Sequence, residues 1–408
     1  MIASHTKRSE CLVCGSKNVR HVISLGNHPN ADTFTRKRVD LIETPLEMVA
    51  CQDCGHCQLL YEVSKESRYT EIEYSYTSSN SNISREHFQE LAKYISQTVS
   101  KNSKVSKIVE PGCNDGFLLH ELGQLFPQAT LIGVDPCSIT EEDIKGLVQN
   151  TRFQRVQEFF EYQYVSRHED SVDIIVATNV LNHSDDPSNF FKTCSAIIKD
   201  NGYLVIEVPE AAILSDKLYF ETIYHEHVNY FSKYSLNKIA SANGFHLVDI
   251  QSIPYMCGSI RAAFQFQKKQ LNSNTVRFQE ILSDPWFIRY DFETKCQDFK
   301  STFLNLIQRE TDKEKYLIGL GASTKANTLL NFCGLTEKNL NFLTDVSPNK
   351  IGKYSPKSNI LVQHPKTIAE QKVTDQIIGI PITVNIATLL EKEASCYNFD
   401  FMPMPSRQ

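Results

Sequence analysis

No apolar run among the 408 residues approaches the roughly 18 that a helix needs to cross a bilayer. The first ten residues, Met1 to Glu10, are polar and hold no apolar stretch of the signal-peptide kind. A cytoplasmic protein with no membrane partner is therefore expected. Basic excess is also missing: 42 Lys+Arg stand against 48 Asp+Glu, a formal net charge of −6, so no nucleic-acid partner is expected. With Gly at 16 and Pro at 15, fibrous and low-complexity architectures are excluded. No coiled-coil repeat is visible, and a monomer is expected. What is present is ordinary globular composition, 41% hydrophobic and 22% charged, which excludes intrinsic disorder. At roughly 150 residues per domain, the length suits two or three domains.

Cysteine is the residue with a pattern. Twelve are present, and five of them fall within the first 57 residues. In a chain of this size without an export signal, reduced thiols are expected, and spacing decides whether they bind metal. Cys11-Leu12-Val13-Cys14-Gly15 and Cys51-Gln52-Asp53-Cys54-Gly55 form two C-x-x-C-G turns. Two cysteines three apart can aim both thiolates at one tetrahedral ion, and the glycine permits the tight turn. Four thiolates close the shell, so Cys11, Cys14, Cys51 and Cys54 are expected to hold a structural Zn2+. A segment this short could not otherwise bury much core. His56 and Cys57 are spare ligand candidates.

Residues 61–85 read as a connector rich in Tyr and Ser, and residues 86–99 as an amphipathic helix with Phe88, Leu91, Ala92, Ile95 and Val99 on one face. From residue 107 the pattern alternates. Short apolar strands are expected at 107–110, 131–134, 172–177 and 203–208, with a helix from Phe117 to Phe126. Such alternation predicts a parallel sheet in a doubly wound α/β fold. A second strand–turn–helix unit starts near 315, with a strand to Leu320, a helix from Thr324 to Phe332 closed by Gly334, and a strand ending at Asp345. Residues 363–408 yield no clear pattern.

The turn Glu110-Pro111-Gly112-Cys113-Asn114-Asp115-Gly116 follows the first of these strands. It is not G-x-G-x-x-G. An acid, Asp135, ends the next strand, 23 residues after Gly112, where it can accept hydrogen bonds from a ribose diol. Gly112 lets the backbone approach a ligand where a side chain would collide. Strand, glycine turn and diol acid together point to a class I methyltransferase using S-adenosylmethionine, with a NAD-type turn as the alternative. Glu110, Asn114, Asp115, Gly116 and Asn179 join Gly112 and Asp135 as cofactor-binding candidates. A second cluster is Tyr224-His225-Glu226-His227-Val228-Asn229-Tyr230. If the run is a strand, His225 and His227 share a face and Glu226 points away. Its density of polar groups suggests proton transfer, with a hydrogen-bonded core His pair as the alternative. His183 lies just past another strand's carboxyl end, where ligands bind in open α/β sheets. Ser323, Thr324 and Lys325 follow a glycine turn at a helix N-terminus, which suits an anion.

The paired cysteine turns, V-E-P-G-C-N-D-G, E-T-I-Y-H-E-H-V-N-Y-F-S, G-S-I-R-A-A-F and G-L-G-A-S-T-K-A-N occur in this order. The whole resembles the sugar C-methyltransferase family of deoxysugar and branched-sugar biosynthesis, over about residues 9–362. The resemblance implies three domains: zinc-binding (1–80), a class I S-adenosylmethionine-dependent methyltransferase (81–270), and a C-terminal Rossmann-like α/β domain (271–408). It implies methyl transfer to a ring carbon, usually carbon 3, of a TDP- or GDP-linked 4-keto-6-deoxysugar. Carried over by position, His227 is the base, with Tyr224, Glu226, His183 and Tyr76 as active-site companions. His225 is the fallback for the base. An O- or N-methyltransferase, or a non-catalytic binding protein of the same fold, is the competing expectation.

Overall fold

Each C-x-x-C-G sequence closes on itself the same way. The Gly15 N–H donates to Cys11 O and the Gly55 N–H to Cys51 O, at 2.8 and 3.0 Å. Both glycines have positive φ, +70° and +67°, the left-handed region in which a Cβ is strained. The computed structural model in which these turns are seen describes residues 5–65, 68, 78–79, 81–99, 104–138, 152–161, 171–268, 288–370, 377–383 and 399–407. The expected active-site Tyr76 lies outside the described residues. No helix among them is long and apolar enough to cross a membrane.

The N-terminal part carries β1 (Thr6–Lys7), β2 (Val19–His28), β3 (Thr44–Cys51), β4 (Cys57–Leu59) and β5 (Tyr61–Glu62). Strands β2, β3 and β4 form an antiparallel sheet, while β1 pairs with β5. Helix α1 (Asn82–Val99) starts four residues before the predicted point and buries the expected face.

The central sheet is built from β6 (Lys107–Pro111), β7 (Thr130–Val134), β8 (Phe153–Val156), β9 (Val172–Thr178) and β10 (Ile198–Pro209). Their helices include α2 (Phe117–Leu125), α3 (Pro187–Ile197), α4 (Ala211–Asp216) and α5 (Lys233–Ala242). Strand β11 (Asn229–Tyr230) leaves this sheet and pairs instead with β4, Asn229 opposite Gln58 and Tyr230 opposite Cys57. Strands β12 (Phe245–Ile253) and β13 (Ser259–Phe266) complete the central sheet in the order β12-β13-β10-β9-β6-β7-β8, with β13 antiparallel to both neighbours. This is the class I methyltransferase arrangement. Successive residues alternate between the two covered faces: Ile174, Val176 and Val205 pack on one, Ile175, Ala177 and Ile206 on the other. Burial on both faces is why these strands read as unbroken apolar runs.

Helix α6 (Phe292–Thr311) leads into β14 (Tyr316–Leu320), α7 (Thr324–Cys333), β15 (Phe342–Thr344), β16 (Val362–Gln363), β17 (Ile377–Pro381) and β18 (Asp400–Phe401). These five strands form an all-parallel sheet in the order β16-β15-β14-β17-β18, the expected Rossmann-like unit. Helix α7 ends at Gly334, as expected, in the left-handed conformation (φ +70°). The N-terminal sheet does not stand alone. Leu46 and Met48 share one core with Phe220, Tyr230, Phe299, Phe303 and Leu343, so the first and last parts of the chain pack together.

Candidate active site

The four thiols Cys11, Cys14, Cys51 and Cys54 lie within 4.8 Å of one another. Cys11 Sγ is 3.7 Å from Cys54 Sγ, and Cys14 Sγ is 3.6 Å from Cys51 Sγ. Tetrahedral Zn–S bonds of about 2.3 Å place sulfurs about 3.8 Å apart, so the set fits a zinc ion. The two spare candidates are engaged elsewhere: His56 Nε2 lies 3.1 Å from Asn229 Oδ1, and the Cys57 thiol points to Gly55 O.

A cavity of about 1180 Å³ opens where the three parts of the chain meet. The carboxyl ends of the central strands supply Gly112, Asn114, Asp135, Asn179 and His183. Gly112 has φ +68°, and a Cβ there would collide with the Val180 side chain. Asp135 Oδ2 accepts from the Asn114 N–H and Oδ1 from the Cys137 N–H, both at 2.8 Å, which fixes the carboxylate at the cavity wall. Asn114 and Asn179 both adopt left-handed backbone, φ +49° and +53°, as Asn tolerates. Of the remaining cofactor candidates, Glu110, Asp115 and Gly116 do not line the cavity. Asp115 accepts from the Ser79 and Phe117 N–H groups, and Gly116 caps α2. Glu110 is buried, with Oε2 unpartnered among the described residues; burial, then Asp115 and Asp135, push its carboxyl well above the usual range.

Residues 224–228 are not a strand. The His227 N–H donates to Tyr224 O at 2.9 Å, closing a turn that sends the two histidines apart. This corrects the expected shared face. His225 does not reach the cavity; its Nε2 lies 3.1 Å from His28 O and 3.2 Å from Thr44 O, anchoring the turn on β2 and β3. His227 faces the cavity with Tyr224, whose hydroxyl sits 2.6 Å from Nε2, and with His183, whose ring meets it edge-on at 4.9 Å. Glu226 also lines the cavity, and its Oε1 accepts from the Ala31 N–H at 3.1 Å and the Asp32 N–H at 3.4 Å. Ser323, Thr324, Lys325 and Lys350 also line the cavity. Ser323 caps α7 by accepting from the Ala326 N–H at 3.1 Å.

Two contributors carried no local signal. Asp32 arrives from the N-terminal part. Arg68, fully buried, donates to His183 O and to Asp185, which Arg8 also holds at 2.6 Å. Asp345 did have a usable sign: it ends a strand 24 residues after Gly321, nearly the Gly112–Asp135 interval.

Burial dominates the titration of the site. It pushes His183 and His225 down to about 4 and His28 to about 3. His227 is driven well below 6.5 by burial, then by His183 and Lys325, so its ring is neutral at pH 7. Burial raises Glu226 to about 7. For the histidines the folded values lie below the ordinary 6.5, so the unfolded chain binds more protons on the acid side. Their stability is present above about 6.5 and is lost as pH falls toward 4, by about 1.4 kcal/mol per pH unit for each group. Glu226 acts oppositely, losing its contribution as pH rises through about 7. Denaturant unfolding should therefore show stability falling steeply between pH 6.5 and 4.5; a flat profile there would contradict these burials.

Family models cover most of the chain: a zinc binding domain over residues 11–69, a methyltransferase domain over 83–250, and a C-methyltransferase C-terminal domain over 258–391. The chain is a C-methyltransferase. This C-methyltransferase is 25% identical over 372 residues to the C-methyltransferase NovU of Streptomyces niveus, covering 88% of this chain and 86% of that one. A shorter match joins it to the mitochondrial ubiquinone biosynthesis O-methyltransferase of Bos taurus, 33% identical over 107 residues, or 24% of this chain and 28% of the other. Among solved structures it aligns with the 1,6-didemethyltoxoflavin-N1-methyltransferase of Burkholderia thailandensis, at TM-score 0.36 and 15% identity over 44% of this chain and 78% of that one. The C-methyltransferase depends on S-adenosylmethionine. Gly112, which lines the cavity, and the fixed Asp135 carboxylate fit that cofactor. Asp135→Ala should weaken S-adenosylmethionine binding by roughly 1.5–3 kcal/mol, read by calorimetry. Unchanged affinity would show that the strand-end acid does not hold the ribose.

Proposed function

We propose that this C-methyltransferase methylates a ring carbon, carbon 3, of a nucleotide-linked 4-keto-6-deoxysugar. The observation that carries the reading is the neutral His227, paired with Tyr224, facing one cavity with the cofactor residues and a lysine-bearing wall. S-Adenosylmethionine, when bound, supplies the electrophilic methyl group. The chain's own task is to make a carbon nucleophile. A ketone beside the reacting carbon acidifies its C–H bond, and loss of that proton gives an enolate. His227 takes the proton, directly or through the Tyr224 hydroxyl that bridges to its Nε2. Glu226, held near neutrality by burial, can donate a hydrogen bond to the developing oxyanion, and His183 stands beside it. Asp135, bonded to the Asn114 N–H, and Asn179 on the same cavity orient the cofactor so that donor and acceptor meet in line, where positioning supplies much of the rate.

Lys325, Lys350 and the capped N-terminus of α7 suit the diphosphate of the sugar nucleotide. Lys325→Ala should raise KM for the sugar nucleotide about tenfold or more while leaving cofactor affinity intact. An unaltered KM would reduce Ser323, Thr324 and Lys325 to packing residues. The domain division at about residues 80 and 270, the monomeric state and the cytoplasmic location belong to the same proposal. The test of the chemistry is solvent exchange. Wild-type protein in deuterated water should exchange the substrate proton at carbon 3 without S-adenosylmethionine, and His227→Ala should not. Exchange that survives in the variant would remove His227 from the proton step.

A further inference from the structure

We propose that Arg407 is a positioning residue of the active site, holding the segment that carries Tyr224 and His227 through the buried carboxylate of Glu221. Glu221 is 0% exposed and sits in the 3-10 turn Phe220–Thr222. Arg407 Nη1 donates to Glu221 Oε2 at 2.9 Å and to Leu218 O at 2.8 Å. The same guanidinium lies over the rings of Phe299, Tyr219 and Phe220, at 4.8, 5.6 and 5.8 Å. One cation from the far end of the sequence therefore engages four consecutive residues, 218 to 221.

Those residues lead directly into the site. Tyr219 and Thr222 line the cavity, and Tyr224 follows two residues later. The Thr222 carbonyl also accepts from the Tyr230 hydroxyl at 3.0 Å, fixing the far side of the catalytic turn. Leu218 has φ +53°, a left-handed conformation that leucine seldom adopts and that needs support from its surroundings. Arg407 supplies that support at the Leu218 carbonyl. It also supplies the countercharge for Glu221: removing one partner of a buried pair leaves the other uncompensated. Glu221 Oε1 is buried with no partner among the described residues, so no second donor stands ready there. Loss of Arg407 would drive residues 218–222 to rearrange, and Tyr224 and His227 would move with them.

The proposal rests on the assignment of Tyr224 and His227 to the proton step, so it is tested with one measurement that needs no substrate. The full chain is prepared as Arg407→Ala, Arg407→Lys, Glu221→Gln and the Arg407→Ala/Glu221→Gln double variant. Hydrogen exchange of peptides spanning residues 218–228 is compared with wild type, and kcat and KM are measured on the best sugar nucleotide. Arg407→Ala should speed exchange in that segment several-fold. It should lower kcat by roughly 10- to 100-fold, the cost of about 1 Å of misplacement, with zinc content and S-adenosylmethionine affinity unchanged. The double variant, which removes the buried charge, should recover much of both losses. Wild-type exchange and kcat in folded Arg407→Ala, or a double variant no better than Arg407→Ala, would overturn the proposal. If Arg407→Ala does not fold, wild-type values of both readouts in Arg407→Lys and Glu221→Gln would overturn it equally. A wild-type protein that methylated no sugar would overturn the proposed substrate, and the exchange comparison would still decide the role of Arg407.

Discussion

Replacing His227 with alanine is expected to lower methyl transfer by roughly 10²- to 10⁴-fold, the range for loss of a general base. Zinc content and S-adenosylmethionine binding should stay as in wild type, because His227 touches neither the cysteine cluster nor the Gly112 turn. The ring is neutral well below pH 6.5, so the acid limb of the wild-type rate profile should fall below that value. Activity is present where the ring is unprotonated and is lost as pH drops through its lowered value. His225→Ala is the informative control. That side chain ties the turn to His28 O and Thr44 O, so its loss should cost stability more than chemistry. Near-normal turnover in His227→Ala, with Tyr224→Phe inactive, would make the Tyr224 oxygen the base.

Removing the zinc ligand Cys51 should have the widest effect. Cys51→Ser is expected to release the ion, whose binding to a four-ligand structural site contributes on the order of 10 kcal/mol to folding. The damage should reach the active site. Strand β11, two residues past His227, pairs with β4, and Glu226 is held by the Ala31 and Asp32 N–H groups. Asn327 of α7 in turn donates to Ala31 O at 2.7 Å, linking the same loop to the C-terminal unit. Metal analysis should therefore find less zinc, calorimetry a lower melting temperature, and kinetics a loss of turnover together. Full zinc in a variant lacking Cys11, Cys14, Cys51 and Cys54 would place the ion elsewhere.

Some of this architecture was plain in the residues. Strands β6, β7, β9, β10 and β14 are apolar because both faces of their sheets are covered, and the C-x-x-C-G turns carry their own geometry. Other elements left weaker marks. Strand β8, Phe-Gln-Arg-Val, lies half-exposed at the sheet edge and has no apolar run. Strand β17 is five buried residues, too short to separate from a helix turn by periodicity. The Tyr224–His227 block misled for a physical reason: four consecutive polar residues carry no period that separates a strand from a turn, and a single i to i+3 bond makes the turn. Pairing of Asn229 with Gln58 joins residues far apart in the sequence, and no local pattern encodes it. The same holds for Arg407, whose partners lie near residue 220.

The central claim is that the methyl group goes to carbon. Incubation of the protein with methyl-labelled S-adenosylmethionine and a panel of TDP- and GDP-linked 4-keto-6-deoxysugars, followed by nuclear magnetic resonance of the product, tests it most directly. The account predicts labelled methyl bonded to ring carbon 3 of at least one 4-keto sugar, in a bond that survives acid hydrolysis, and none on the matching 4-hydroxy sugar. A labelled methyl ether or N-methyl product, or equal transfer to the 4-hydroxy sugar, would contradict it.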